Sequence, residues 1–177
     1  TSAIEDLGGL DLFVANVSAG GGNNTEEGWK ANFEVDVLGT VRGIETVTPA
    51  LSDSKGSVVI ISTTTAIENG PGAGAYGAMK AALMNLSSTK AQELAPQGVN
   101  CNVVSPGPIY IEGGAWNFIK DNMEDFYKAT LSAIPAGRMG AAQDVANAVV
   151  FLGSPAASYI TGTNVVVDGG FTKGVHF

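Results

Sequence analysis

The chain has 177 residues, with 17 acidic side chains against nine basic ones, a net charge of −8 and a sequence pI near 4.4. The Lys and Arg residues stand singly, which argues against a nucleic-acid partner, because phosphate recognition rests on clustered basic groups. An apolar content of 45% with 24 Gly and only seven Pro fits a globular chain, and no apolar run reaches the roughly 18 residues that a membrane span needs. The single Cys excludes an internal disulfide and points to a reducing, cytoplasmic setting.

In chain order, Thr1 to Leu7 read as the end of a helix. Leu10 to Val17, bounded by Gly pairs, reads as a buried strand. Asn24 with Glu27 three residues on signals a helix entry, and Trp29, Phe33, Val37, Val41 and Ile44 continue at helical spacing. Ser57 to Ser62 is a β-branched strand. A loop over 68–74 leads to a helix from Ala75 to Leu94, stopped by Pro96 and Gly98. Val99 to Ser105 is a third strand. The segment 108–135 predicts a helix over 115–131, another helix covers 141–152, and Asn164 to Val167 forms a fourth strand. Strands apolar on both faces, alternating with helices, predict one α/β domain with a doubly wound parallel sheet.

Tyr76-Gly77-Ala78-Met79-Lys80 carries the first chemical signal. The i, i+4 spacing puts both side chains on one helix face, where an ammonium is expected to lower the pKa of a phenol and fit it for acid–base work. By itself the pattern is commonly accidental. Its context is more telling: Thr63 lies just beyond the second strand and thirteen residues before Tyr76, Asn16 ends the first strand, Pro106-Gly107 ends the third, and Ile160-Thr161-Gly162 with Val167-Asp168-Gly169-Gly170 closes the chain. In order and spacing these resemble the short-chain dehydrogenase/reductase family over essentially the whole chain.

The resemblance implies an NAD(P)-dependent oxidoreductase that interconverts an alcohol and a carbonyl. Tyr76 would be the general acid or base, Lys80 would tune it and bind the nicotinamide ribose, and Thr63 would take the family's Ser position, with Ser62 as its competitor. Asp36 stands where the family has Asn in a proton relay that works largely through the backbone carbonyl. The cofactor side would comprise Asn16, Tyr76, Lys80, Pro106, Gly107 and Ile109, with NAD or NADP left open. The substrate side would comprise Thr63, Tyr110 and Trp116 under a lid over 108–135, whose aromatics suit an apolar or ring-bearing carbonyl compound; ordinary helix packing accounts for them equally well. A 3-oxoacyl carrier-protein substrate is also compatible with the family. The resemblance further implies a homotetramer or homodimer, with the helices at 26–49 and 75–94 at one interface.

Several residues depart from the family. Asp36 adds a charge to the relay. Ala15-Asn16-Val17-Ser18 keeps only the Asn of the usual turn, and Ile111 replaces a Thr that would contact the nicotinamide amide. The literal Gly72-Ala73-Gly74-Ala75-Tyr76-Gly77 lies about ten residues beyond a strand, so it is not a dinucleotide turn. The diphosphate turn of a first strand is not in the sequence, and the expectation is the C-terminal two-thirds of a Rossmann-type domain. A non-catalytic, nucleotide-sensing or oligomer-forming subunit is the alternative. His176, the only His, reads as tail; Cys101 reads as a buried strand residue; and no grouping of side chains suggests a metal site.

Overall fold

The computed structural model describes residues 2–20, 24–68 and 74–174. Helix α1 (Ser2–Leu7) precedes β1 (Leu12–Ala15), α2 (Glu26–Asn32), a π-helical segment (Phe33–Leu38) and α3 (Gly39–Ser54). Strand β2 (Ser57–Ile61), α4 (Gly74–Leu94), β3 (Asn100–Pro106), α5 (Ala115–Asn122), α6 (Glu124–Ala133), α7 (Ala142–Leu152) and β4 (Asn164–Val167) follow. The four strands form one parallel sheet in the order β1-β2-β3-β4.

Side-chain alternation along the strands builds a core on each face. Val58, Ile60, Cys101 and Val103 point to the face covered by α3 and α4, where they meet Ile44, Leu51 and Leu83. Val59 and Val104 point to the other face and pack against Val149 and Leu152 of α7. Burying each such side chain contributes roughly 1.5–3 kcal/mol, and the β-branched runs SVVII and NCNVV favour the extended backbone that presents them. Cys101 is fully buried, its Sγ 3.5 Å from Ser87 Oγ, and burial raises its thiol pKa. This is the doubly wound α/β architecture expected from the alternating elements.

Three local expectations change. The predicted helix over 115–131 is two helices, because the chain leaves helical geometry at Met123 (φ −139°, ψ 54°). The cap of α2 is Thr25, which accepts the Gly28 N–H at 3.2 Å, rather than Asn24. The helical run after it is interrupted by π geometry over Phe33–Leu38, which re-aims the side chains around Asp36. Among the described residues no helix is long and apolar enough to cross a membrane. Gly72, Ala73 and His176 lie outside the described residues, while Gly74 to Gly77 form the start of α4.

Candidate active site

Parallel strands with helical crossovers leave their carboxyl ends open to a common edge, where ligands of such sheets bind. Beyond the end of β2, Ser62 and Thr63 turn into a short 3-10 segment, with Thr63 as its cap. Ser62 is buried and donates its hydroxyl to the Lys80 carbonyl at 3.0 Å, so it ties β2 to α4 and leaves position 63 to face the site. The Thr63 hydroxyl accepts the Thr65 N–H at 3.3 Å, lies 2.7 Å from Thr65 Oγ1, and hydrogen-bonds Tyr76.

Tyr76 and Lys80 share a face of α4 one turn apart, as their spacing requires. The first turn of that helix is fixed from a distance: the Ala75 N–H donates to Asn24 Oδ1 at 3.2 Å. Gly74 makes this possible, since its φ is +40° and a Cβ there would stand 1.6 Å from Asn24 Oδ1. Asn24 therefore caps α4, the helix that carries Tyr76, and not the helix that follows it in sequence.

Lys80 is 2% exposed and Asp36 is fully buried, with Nζ 3.1 Å from Asp36 Oδ1. The ammonium also donates to the Ile61 carbonyl at 3.0 Å and lies 5.9 Å from the Tyr76 ring centroid. The contact to Oδ1 is ionic rather than a well-directed hydrogen bond, whereas Oδ2 accepts the Ala19 N–H at 2.9 Å. The Asp36 carbonyl, expected to serve a relay, accepts the Thr40 hydroxyl at 2.6 Å. The Tyr76 hydroxyl is held above its ordinary value near 10, by burial first; the Thr63 hydrogen bond opposes this, and the Asp36 charge adds to it. The depression expected from Lys80 is thus reversed, and burial of the phenol is the main reason.

Tyr76, Lys80, Thr63 and Asp36 are brought together as the sequence suggests. Asn16, exposed just past β1, and Pro106, the last residue of β3, belong to the same sheet edge. Gly107 is glycine for a packing reason, since a Cβ there would approach Asp168 Cβ to 2.5 Å. Ile109 forms a bridge to Gly140, and the Tyr110 N–H donates to the Gly140 carbonyl at 2.8 Å. Tyr110 and Trp116 make their ring contacts within the segment 108–135: Lys120 Nζ lies 5.4 Å from the Tyr110 ring, and Trp116 stacks on Phe126 at 6.0 Å. A cavity of about 350 Å³ beside β4, lined by Arg138, Asp144 and Asp168 among others, includes none of the four clustered residues. Among the described residues no group of three or more His, Cys, Asp or Glu is placed to hold a metal. Sequence reasoning missed Ala19 and Asn24; the Asn24–Gly74 pair would be legible only to a reader who already knew that the two loops meet.

A family model described as enoyl-(acyl carrier protein) reductase matches residues 1–172. The chain is 38% identical over 179 residues to isoepoxydon dehydrogenase of Aspergillus clavatus, covering 99% of this chain and 69% of that protein. It is 29% identical over 177 residues to trans-4-hydroxycyclohexanecarboxylate dehydrogenase of Sinomonas cyclohexanicum, covering 98% of this chain and 64% of the relative. The crystal structure of YwfH, an NADPH-dependent reductase involved in bacilysin biosynthesis, superposes with a TM-score of 0.87 at 29% identity, over 98% of this chain and 72% of that one.

Proposed function

This chain belongs to the short-chain dehydrogenase/reductase family of NAD(P)-dependent enzymes, and we propose that it interconverts a secondary alcohol and a ketone with Tyr76 as the proton-transfer group. The observation that carries this reading is the convergence of the Tyr76 hydroxyl, the Thr63 hydroxyl and the Lys80 ammonium at the carboxyl end of β2. A bound nicotinamide supplies the hydride acceptor or donor. Thr63 orients the substrate oxygen. Tyr76 gives its proton to the carbonyl oxygen in reduction and takes the hydroxyl proton in oxidation.

The nicotinamide half of the cofactor fits the residues present. An ammonium has three donors; Lys80 gives one to the Ile61 carbonyl and meets Asp36 as an ion pair, so donor capacity is left for a ribose hydroxyl. Asn16, Pro106, Gly107 and Ile109 complete our assignment of the cofactor side, and Tyr110 and Trp116 our assignment of the substrate side. The aromatic lid and a relative named for a cyclohexane alcohol support a ring-bearing substrate. We also assign a cytoplasmic homo-oligomer; half-exposed Trp29 and Phe33 on the α2 side support an interface there, which light scattering tests.

The test of the mechanism is Tyr76→Phe, assayed with NADH and NADPH on the cyclic ketones that the unaltered enzyme reduces. The expected outcome is a fall in kcat of about 10²–10⁴ with cofactor binding retained. Unchanged turnover overturns the assignment.

A further inference from the structure

A Tyr76 that gives its proton to a substrate must regain one before the next turnover. On one side of it the polar contacts run inward, from Lys80 to the Ile61 carbonyl and to Asp36, which has no exposed surface. On the other side stands Thr63, and behind Thr63 a second threonine. Thr65 lies two residues on, in the short 3-10 segment, with its hydroxyl 2.7 Å from Thr63 Oγ1 and its N–H donating to the same oxygen at 3.3 Å. Thr64, between them, is buried, whereas Thr65 is only half-buried. We propose that the Tyr76, Thr63 and Thr65 hydroxyls form a proton path, with Thr65 as its solvent end, which reloads Tyr76 during reduction and drains it during oxidation. The inference rests on Tyr76 as the proton-transfer group.

The donor and acceptor count supports the path. A hydroxyl has one proton and two acceptor positions. On Thr63 the Thr65 N–H fills one of these, so one acceptor position and one proton remain for the Thr65 and Tyr76 hydroxyls. Two arrangements satisfy all three groups. In the first, Thr65 donates to Thr63 and Thr63 to Tyr76, which leaves the Tyr76 proton free for a carbonyl. In the second, Tyr76 donates to Thr63 and Thr63 to Thr65. While a carbonyl is bound, the Thr63 proton serves the substrate oxygen; once Tyr76 is a phenolate, that stronger acceptor draws it. The Thr63 O–H then breaks as a new O–H forms on Tyr76, the Thr65 proton replaces it on Thr63, and a solvent acid restores Thr65. The shifts are concerted, so neither threonine carries a charge, and no oxidant or reductant is consumed. This converts the first arrangement into the second, and oxidation runs each shift backwards. The cap bond from the Thr65 N–H holds the two threonines together through backbone geometry, whichever way the protons point.

The experiment separates the first turnover from those that follow. Thr65→Val keeps the backbone N–H and the branched shape and removes only the hydroxyl, while Thr65→Ser keeps the hydroxyl. Stopped-flow mixing follows the consumption of NADH or NADPH by the full chain, on a cyclic ketone that the unaltered enzyme reduces. The first turnover uses the proton already on Tyr76, so its rate in Thr65→Val should match that of the unaltered chain. Later turnovers wait for a new proton, so kcat should fall about tenfold, a part of what proton transfer contributes to such reactions. Thr65→Ser should retain the unaltered kcat. An unchanged kcat in Thr65→Val overturns the proposal. So does a first turnover slowed as far as kcat, since Thr65 would then only support Thr63, and so does a Thr65→Ser variant as slow as Thr65→Val. Should Thr65→Val fail to fold, Thr65→Ala takes its place with the same expectations. Tyr76→Phe, run beside them, keeps the two readings apart: unchanged turnover there removes the Tyr76 mechanism itself, whereas its collapse beside an unaffected Thr65→Val removes only the path.

Discussion

The corner where β2, α4 and the π segment meet and the α5–α6 segment, which we propose as the lid, are built on opposite principles. In the corner Asp36, Ser62 and Lys80 are at most 2% exposed, and each is held by partners from other elements. The lid buries little: α5 has no buried residue, α6 has only Thr130, and Phe118, Met123 and Phe126 stand open. Proton chemistry requires fixed geometry and fixed charge, and the corner provides both. Substrate selection requires a surface that can vary at little cost to the fold, and a segment that buries little meets that requirement.

Breaking the corner should therefore be expensive. Lys80→Met strands a buried carboxylate, and the expected cost is about 3–5 kcal/mol in a denaturant titration, with catalysis abolished. A midpoint unchanged from the parent chain would mean that the ion pair contributes nothing. A smaller effect is expected at the helix cap: Asn24→Ala should cost about 1 kcal/mol and lower kcat with KM little changed, whereas Asn24→Asp should restore both. Thermal melts beside steady-state kinetics check this; a KM effect alone would place Asn24 on the substrate side instead. The lid should give least in stability. Trp116→Ala removes a ring stack worth roughly 0.5–1.5 kcal/mol, within a segment that buries little, so the global melt should scarcely move while KM for a cyclic ketone rises several-fold. A melt that falls as far as that of Asn24→Ala would show the lid to be part of the core.

The same contrast explains what the sequence discloses. Strands β2 and β3 are legible because their β-branched runs serve both faces at once, and α4 because Pro96 and Gly98 end it cleanly. The break at Met123 is hidden, since no Gly or Pro marks it and the apolar spacing runs through it. Tyr76, Lys80 and Thr63 stand out through spacing along one helix and one strand end. The partner of Asp36 is 44 positions away, and Asn24 and Ala75 are 51 positions apart; such pairings are fixed by the crossover between β1 and α4, not by local preference. The sign of the Tyr76 shift was illegible because burial, its largest cause, is a product of the whole fold. The i, i+4 spacing announces that an ammonium is close, but not that the phenol is buried.

The solitary thiol of Cys101 gives the molecule a clock of its own. Enclosed between β3 and the Ser87 face of α4, it meets a sulfhydryl reagent only when those two layers part. Since the chain has no other cysteine, the rate of its modification in native buffer measures how often the central sheet breathes. The same enclosure that hides the sulfur from oxidants makes it a reporter that needs no engineering.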